Sequence, residues 1–420
     1  MAYRKSCFLS SLVFLLVAST GYAQETAVQA DKVVDSIGIN THLSYTNTSY
    51  YQEYPQVIAA LKNAGIRHIR DGYYDWPAGN RMYTIHQAVA AAGIGTDYVI
   101  SFSDATTASD IESFRSLAGD MESIEGPNEF DVNGGSKWST ELLSFLPVLQ
   151  EAGSAMNVPV LGPSLVNQSS YGQLGNVGQS MTYNNLHIYF GGRNPGSHGW
   201  GSCNSFGHCY GSIAWWLDNA NVDAPGAASY VTESGYNQTP TSNTPYVVPN
   251  SVAAVYSVQT VFEMMAHGIQ RSYLYELMDD PTSPQLGLMT SALAPKASYN
   301  VISALIHSLE DPGASFTPGS LKYTLSGSTA NVDHLLMQKR DGSFYLALWI
   351  NTSIYNPASN ANVNVPAQQV TVNLDSAHRV QSYSSINLDG SMTTNSANSS
   401  GAFSLPLSPN VSLIKIVAAN

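Results

Sequence analysis

Eight short β-rich runs alternate with helical stretches between residues 37 and 310, and this alternation restricts the possible folds more than any other feature. The runs begin at residues 37, 66, 94, 123, 158, 185, 229 and 272. Between them apolar residues recur every three or four positions, most clearly in Ser251–His267, and the first helix, Pro55–Ala64, stops before Gly65. A last helix, Lys296–Leu309, closes the series. We therefore predict an α/β fold with a (β/α)8 TIM barrel over residues 24–314.

The pattern changes after about residue 315, where helical periods give way to alternating strands separated by turn residues. Asp341-Gly342, between the runs His334–Lys339 and Phe344–Ile350, is a strong hairpin signal. We predict a C-terminal antiparallel β-sandwich domain over residues 315–420. Its low charge and Asn/Ser-rich turns leave two interpretations open, a sugar-binding module and a structural domain packed on the barrel, and we favour the second.

The first residues have the pattern of a secretory signal peptide. Arg4 and Lys5 form a basic start, an apolar stretch follows from Cys7 to about Val17, and small residues precede a cleavage site after Ala23. A membrane anchor is the alternative, but the apolar stretch is too short to span a bilayer. We predict that residues 1–23 are a signal peptide, that the protein is secreted or periplasmic, and that no membrane contact remains after cleavage.

Charge limits the kinds of partner. Charged residues make up only 11% of the chain, with 17 Lys and Arg against 30 Asp and Glu, for a net charge of −13. Binding to nucleic acid needs clustered basic residues, so this composition argues against nucleic acid as a partner. It also gives no reason to expect binding to an acidic membrane surface. We expect a monomer that binds no nucleic acid.

Of three cysteines, Cys7 lies in the predicted signal peptide, whereas Cys203 and Cys209 lie close together in a glycine-rich loop. In an oxidising compartment such a pair is expected to form a disulfide. A zinc site is the alternative, but it needs four ligands and this segment adds only His208. We predict a disulfide, with no metal and no cofactor.

Two glutamates stand where predicted strands end: Glu129 closes the fourth strand in Gly126–Glu129, and Glu233 closes the seventh. Active-site residues of a barrel lie at these ends, and the fourth and seventh strands lie across the barrel from each other. Two carboxyl groups that flank a sugar ring can cleave a glycosidic bond, because one protonates the departing oxygen and the other supplies negative charge beneath the ring. The pattern therefore indicates a glycoside hydrolase.

With an Asn-Glu pair after strand four and a Glu after strand seven, the sequence resembles glycoside hydrolase clan A, a superfamily of retaining (β/α)8-barrel glycosidases. The resemblance covers about residues 35–310. It implies that Glu129 is the general acid/base, that Glu233 is the nucleophile and that Asn128 contacts the sugar 2-hydroxyl.

Further positions match the same superfamily. His187-Ile188-Tyr189 in the sixth strand resembles a His-x-Tyr of family 5, which implies that Tyr189 hydrogen-bonds the nucleophile and that His187 supports the acid/base. A hydrogen-bonded role in the core is the alternative for both. Arg70, at the end of the second strand, resembles an arginine that steadies the nucleophile's charge; pairing with Asp71 or Asp75 is the alternative.

The eighth strand departs from the superfamily, which usually places a Trp beneath the sugar. Here Tyr275 can supply the aromatic floor, and Glu276 adds a carboxylate near the site. We expect both residues to contact substrate, and Glu276 is also the main rival to Glu233. The run Glu276–Asp280 and the late sandwich also resemble families 30, 39 and 79. His42, on the first strand, is either a sugar contact or a residue that only fills the strand end.

Aromatic residues suit a carbohydrate, because sugar rings stack on aromatic faces. The chain has 25 Tyr and 6 Trp, and many lie in predicted loops after strands: Tyr45, Tyr50, Tyr51, Tyr73, Tyr74, Trp76, Trp138, Trp200 and Tyr236. We predict an oligo- or polysaccharide substrate with β-linkages, cleaved at internal bonds. An exo-β-glycosidase and a non-catalytic carbohydrate-binding barrel are the alternatives. Metal-dependent hydrolysis would need a His/Asp cluster at ligand spacing, which the sequence lacks.

Overall fold

The computed structural model describes residues 23–238, 246–280 and 285–419. The predicted signal peptide lies outside these ranges except for its last residue, Ala23. No helix within the described ranges is both long enough and apolar enough to cross a bilayer.

A parallel barrel forms the centre of the fold, and two short strands precede it, β1 (Ala23–Thr26) and β2 (Val28–Gln29). The barrel strands are β3 (Ile37–Asn40), β4 (His68–Tyr73), β5 (Gly95–Ile100), β6 (Met121–Glu125), β7 (Val160–Leu161), β8 (Asn184–His187), β9 (Ser229–Ser234) and β10 (Arg271–Leu274). They pair in the order β7-β6-β5-β4-β3-β10-β9-β8, and a bridge between Leu161 and Tyr183 joins the two ends. The eight predicted strands and the TIM barrel are confirmed.

The helices surround the barrel. They are α1 (Ala30–Asp35), α2 (Ser49–Gln52), α3 (Tyr54–Ala64), α4 (Arg81–Ala91), α5 (Ala108–Ala118), α6 (Phe130–Asn133), α7 (Trp138–Met156), α8 (Gln168–Leu174), α9 (Ile213–Asp223), α10 (Asn250–Ala266) and α11 (Ala297–Leu309). Local signals explain some of their ends. Gly65 caps α3 in the left-handed region at φ 76°, and Thr107 and Asp110 form a capping box at the start of α5.

Much of the barrel interior is polar. Leu161, Tyr230 and Tyr273 form a small apolar cluster on the barrel strands. Many other buried side chains on these strands carry polar or charged groups, among them Asn40, Arg70, Asp97, Glu125 and Asn185. Buried polar groups are costly unless they are hydrogen-bonded, so this interior requires a connected network rather than the usual packing of branched apolar residues.

The C-terminal domain is an antiparallel β-sandwich, as predicted. Its strands are β11 (Ser320–Gly327), β12 (Val332–Gln338), β13 (Phe344–Ile350), β14 (Tyr355–Asn356), β15 (Ala361–Asn362), β16 (Gln368–Leu374), β17 (His378–Ile386), β18 (Met392–Ser400), β19 (Ala402–Leu407) and β20 (Ser412–Ala418). One sheet has the order β1-β11-β16-β19 and the other β18-β17-β20-β13-β12-β2, while β14 and β15 form a separate ribbon.

The two strands before the barrel belong to the sandwich. β1 pairs antiparallel with β11, with Ala23 opposite Tyr323, and β2 pairs parallel with β12. The predicted boundary, which placed residues from 24 onward in the barrel, needs this correction. The physical reason is that pairing between segments about 300 residues apart leaves no local periodicity in so short a stretch.

The six-stranded sheet packs on the barrel through α10 and α11. The Trp349 ring stacks on Phe262 with centroids 5.6 Å apart, and its indole N–H donates to Glu263 at 3.0 Å. Gln259 donates its amide to the backbone oxygen of Pro409 at 2.7 Å. Residues of both domains form one continuous apolar core at this contact. The sandwich is therefore docked on the barrel by buried surface.

Candidate active site

Glu129 and Glu233 meet at the carboxyl ends of the barrel strands. A carboxylate oxygen of each lies within 4.8 Å of the other and of a ring nitrogen of His187. Glu233 is the fifth residue of β9, and Glu129 precedes α6. The two glutamates singled out from the sequence are thus brought together over one site.

The sequence pattern suggested that Glu129 ends the fourth strand, but in the structure it lies beyond the end of that strand. β6 stops at Glu125, and Gly126–Asn128 lead into a turn in which Glu129 has a left-handed φ of 45°. Pro127 lacks an N–H and so cannot extend the ladder, which explains the early end of the strand. The Glu129 N–H donates to the Ser164 hydroxyl at 3.1 Å, and this bond helps to fix the turn.

Glu233 is almost fully buried and is held by two donors. The Arg70 guanidinium donates through Nη1 to Oε1 at 2.7 Å, and the Tyr189 hydroxyl donates to Oε2 at 2.8 Å. Burial by itself would raise the pKa of the Glu233 carboxyl, but His187, Arg70 and the Tyr189 hydroxyl together lower this pKa below its ordinary value. Glu233 is therefore kept ionised inside the protein.

Arg70 connects Glu233 to the polar interior of the barrel. Its Nε donates to Glu125 at 2.6 Å, its Nη1 to the Asn40 side chain at 3.0 Å, and its Nη2 to the Asn128 side chain at 2.7 Å. The pairing with Asp71 or Asp75 that the sequence left open is not the one observed. Burial lowers the pKa of Arg70, but the charges of Glu125 and Glu233 outweigh burial and raise it. The guanidinium therefore stays charged.

Glu125 and Asn40 are members of the site that the sequence did not single out. Glu125 is fully buried and accepts from Arg70 through one oxygen and from the Asn185 amide through the other, at 2.5 Å. Asn40 donates its amide to the backbone oxygen of Thr232, beside Glu233, at 2.9 Å. The signal that the sequence offered for Glu125 is a charged residue at the end of a strand, directly before Gly126 and Pro127.

His187 lies between the two glutamates. Its Nδ1 is 2.9 Å from Glu129 Oε1 and 3.6 Å from Glu233 Oε2, while its Nε2 is buried without a hydrogen-bond partner. Either Nδ1–H donates to an ionised Glu129, or a protonated Glu129 donates to Nδ1, so the pair can share one proton. The positions of His187 and Tyr189 agree with the roles implied by the superfamily resemblance.

On the opposite wall, Tyr275 faces the site and Glu276 does not. The Tyr275 hydroxyl lies 3.1 Å from His42 Nε2, and the peptide bond after Tyr275 is cis. Glu276 is 0% exposed; its Oε2 accepts from Tyr50 at 3.2 Å and lies 3.3 Å from His42 Nε2. Burial raises the pKa of the Glu276 carboxyl even though His42 opposes this shift. The expectation that Glu276 contacts substrate needs correction, because its partners place it behind His42.

The site opens into a cavity of about 200 Å³, called the central cavity below. Its lining includes five of the predicted site residues: His42, Arg70, Asn128, Glu233 and Tyr275. The Asn128 side-chain oxygen already accepts a hydrogen bond from Arg70. The side-chain N–H groups of Asn128 are therefore the donors that remain for a ligand. This is the geometry expected for a contact to a sugar hydroxyl.

Trp200 is not brought into this cavity. It lies in the loop after β8, where the Arg193 guanidinium stacks over its ring at 4.4 Å and the Tyr210 ring packs edge-on. The same loop contains the predicted disulfide between Cys203 and Cys209, which is present. His208, the residue that a zinc site would have needed, hydrogen-bonds Asp218 at 2.7 Å instead.

Glu129, His187 and Glu233 have a spacing that could also hold a metal ion. The electrostatics oppose this use, because Arg70 and Tyr189 already occupy both Glu233 oxygens and the guanidinium is positively charged. The arrangement suits proton transfer and nucleophilic attack better than cation binding.

Comparison with solved structures gives the same architecture. An arabinofuranosidase of glycoside hydrolase family 51 from Xanthomonas axonopodis pv. citri superposes with a TM-score of 0.57 at 12% identity, over 95% of this chain and 98% of that one. AbfB, a family 51 α-L-arabinofuranosidase from Bifidobacterium longum, gives 0.53 at 9% identity, over 94% and 98%. The shared fold is a TIM barrel with a β-sandwich. At this identity the likeness confirms the predicted fold and shows nothing beyond it. No family model matches the sequence, and no curated protein matches it at the sequence level.

Proposed function

We propose that the protein is a retaining glycoside hydrolase, with Glu129 as general acid/base and Glu233 as nucleophile. The observation that carries this proposal is the separation of the two carboxylates, whose oxygens approach within 4.8 Å. Retaining glycosidases place these groups about 5–5.5 Å apart, whereas inverting ones leave about 6.5–9.5 Å for a water molecule. A separation within 4.8 Å supports the retaining arrangement over the inverting one.

In the first step, ionised Glu233 attacks the anomeric carbon while Glu129 gives its proton to the departing glycosidic oxygen. A covalent glycosyl–Glu233 ester forms and the leaving sugar is released as an alcohol. In the second step Glu129, now ionised, takes a proton from water, which displaces Glu233 and restores both groups. His187, within hydrogen-bond distance of Glu129, helps to hold that proton in place.

Arg70 and Tyr189 serve the first step by keeping Glu233 charged and oriented. Each donates to a different oxygen, so the carboxylate cannot rotate freely. Such fixed donors need no reorganisation as charge moves during the reaction.

For the substrate we propose a β-linked glycan cleaved at internal bonds. An exo-acting enzyme is the second candidate, favoured by the small volume of the central cavity, about 200 Å³. The two family 51 structures described above are arabinofuranosidases by name, so α-L-arabinofuranosides belong in the substrate panel. Reducing-end analysis of products separates the two modes, because an exo enzyme releases only small sugars from chain ends.

The test uses aryl glycosides of several sugars and a matched fluorinated, activated glycoside that traps the covalent intermediate. We expect turnover by the wild type, a loss of at least about a thousandfold in kcat/KM in Glu233→Gln, and the trapped label on Glu233. A label on Glu276 would contradict the assignment of the nucleophile. Binding of glycans without any turnover would favour the non-catalytic barrel instead.

We also propose that the mature protein is a monomer that acts outside the cytoplasm. The disulfide between Cys203 and Cys209 supports this location, because such bonds persist in oxidising compartments. Cell fractionation and mass measurement of the N-terminus test the location, and light scattering tests the monomer.

A further inference from the structure

We infer that the active site binds an uncharged glycan chain of at least three sugar units across three adjoining cavities. This inference rests on the proposed glycosidase function and specifies the substrate. Neither the two glutamates nor the fold determines how far a substrate extends, so the argument comes from the walls around the central cavity.

Two further cavities adjoin the central one, each also of about 200 Å³. The β4–β5 cavity is formed by loops after those strands and shares Tyr74 and Ser101 with the central cavity. The β3–β10 cavity is formed by loops after β3 and β10 and shares Tyr45. A single tyrosine ring therefore stands at each boundary of the central cavity.

Both tyrosines are exposed and yet held by neighbours. Tyr45 is 39% exposed and stacks on His42 with centroids 4.5 Å apart and planes 14° apart. Tyr74 is 45% exposed and packs against Trp76 at 5.5 Å. A Cβ on Gly72 would lie 2.9 Å from the Tyr74 ring, which is too close. The absence of a side chain at Gly72 therefore allows the ring to take this position. Fixed aromatic rings with a free face are the surfaces on which sugars stack.

The charge of the lining limits the kind of chain. Arg70 is the only arginine or lysine among the described residues that line the three cavities, and it is already bound to Glu125 and Glu233. The β4–β5 cavity contains the exposed carboxylate of Asp75, and the β3–β10 cavity contains Asp280, while Asp279 there is buried and paired with Lys296 at 2.6 Å. A chain of uronic acids would meet the like charge of Asp75 on one side and of Asp280 on the other, whereas a neutral chain can donate a hydroxyl to an exposed carboxylate such as that of Asp75.

The experiment compares substrates of different length on the full-length protein. The probes are an aryl glycoside that the wild type hydrolyses, neutral β-linked oligosaccharides of two to six units of the same sugar, and the corresponding β-linked oligouronides, oxidised to carboxylates at C6, as the anionic counterpart. The variants are Tyr45→Ala and Tyr74→Ala, with Tyr45→Phe and Tyr74→Phe as conservative partners. Phe206→Ala is the matched control, because Phe206 is 74% exposed and lines none of these cavities.

We expect each alanine variant to lose about fivefold more kcat/KM on neutral chains of three or more units than on the aryl glycoside. The phenylalanine variants and Phe206→Ala should show no such length dependence, and the β-linked oligouronides should not be cleaved. Equal losses on long and short substrates, or cleavage of the oligouronides, would overturn the inference. The proposed function fails separately, if the wild type cleaves no aryl glycoside or Glu233→Gln retains the activity.

Discussion

Arg70 donates a hydrogen bond to Glu233 on β9, and the same guanidinium donates to the fully buried Glu125 on β6. One cation thus serves two carboxylates, of which one is directed at the cavity and the other is closed off from it. Glu125 fixes the position of Arg70, and Arg70 in turn fixes the charge of Glu233. The polar interior of the barrel is in this way part of the active site.

Replacing Arg70 by lysine should lower kcat/KM on the order of a hundredfold, because one ammonium cannot reproduce the forked contacts to Glu125, Asn128 and Glu233. Arg70 lowers the pKa of Glu233, so its loss raises this pKa. The acidic limb of the pH profile of kcat/KM should therefore move to higher pH. Arg67→Lys, whose side chain pairs with Asp31 away from the site, is the control and should leave the profile in place.

Glu276→Gln should distinguish the two candidate nucleophiles. Because Glu276 lies behind His42 and contacts Tyr50, we expect its amide variant to lose about tenfold in kcat/KM through misplacement of His42. Steady-state kinetics beside Glu233→Gln measures the difference. If the Glu276 variant loses as much activity as the Glu233 variant, the positioning role assigned to Glu276 is wrong.

Glu263, at the contact between the domains, should make stability depend on pH. Burial and then the charge of Asp333 raise its pKa from 4.5 to about 8. The native state therefore keeps a proton that the unfolded chain releases near its ordinary pKa. The resulting stabilisation is full below about pH 4.5 and is lost as the pH rises through about 8. Each unit of this shift corresponds to about 1.4 kcal/mol.

The variant Glu263→Gln carries no charge to bury, so its free energy of unfolding should change less than that of the wild type between pH 5 and pH 9. Urea unfolding at several pH values measures this, with the exposed Glu151→Gln as control. A wild-type curve parallel to that of Glu263→Gln across this range would show that Glu263 does not titrate as proposed.

The disulfide between Cys203 and Cys209 closes a loop with a sequence separation of six, and for so short a loop the chain-entropy estimate is about 2 kcal/mol. Reduction, or the paired change Cys203→Ser with Cys209→Ser, should lower the free energy of unfolding by about this amount. Activity on an aryl glycoside should change little, because the bond lies outside the central cavity. Urea unfolding with and without reductant checks the first statement. If the double serine variant responds to reductant as the wild type does, the effect does not come from this bond.

The sequence was sufficient to predict the barrel, the sandwich and the two glutamates, because each has a local signal. Strand and helix periods mark the elements, and the sequence places Glu129 just after β6 and Glu233 near the end of β9, two strands that face each other across the barrel. Glu125 was missed because its importance comes from Arg70, a partner 55 residues away that periodicity does not reveal. Glu276 was placed too near the substrate, because a strand-end position does not show which way a side chain turns.

The pairing of β1 with β11 has a consequence for how the chain is made. Proteins are synthesised from the N-terminus, and Gln24 meets its partner Lys322 only after some three hundred further residues have been added. Until then the barrel can fold through contacts between residues that are close in sequence, while the backbone hydrogen-bonding groups of β1 remain unpaired. A truncation after the barrel would remove β11 and leave β1 without its pairing strand. The two domains therefore cannot be separated by dividing the chain at one position.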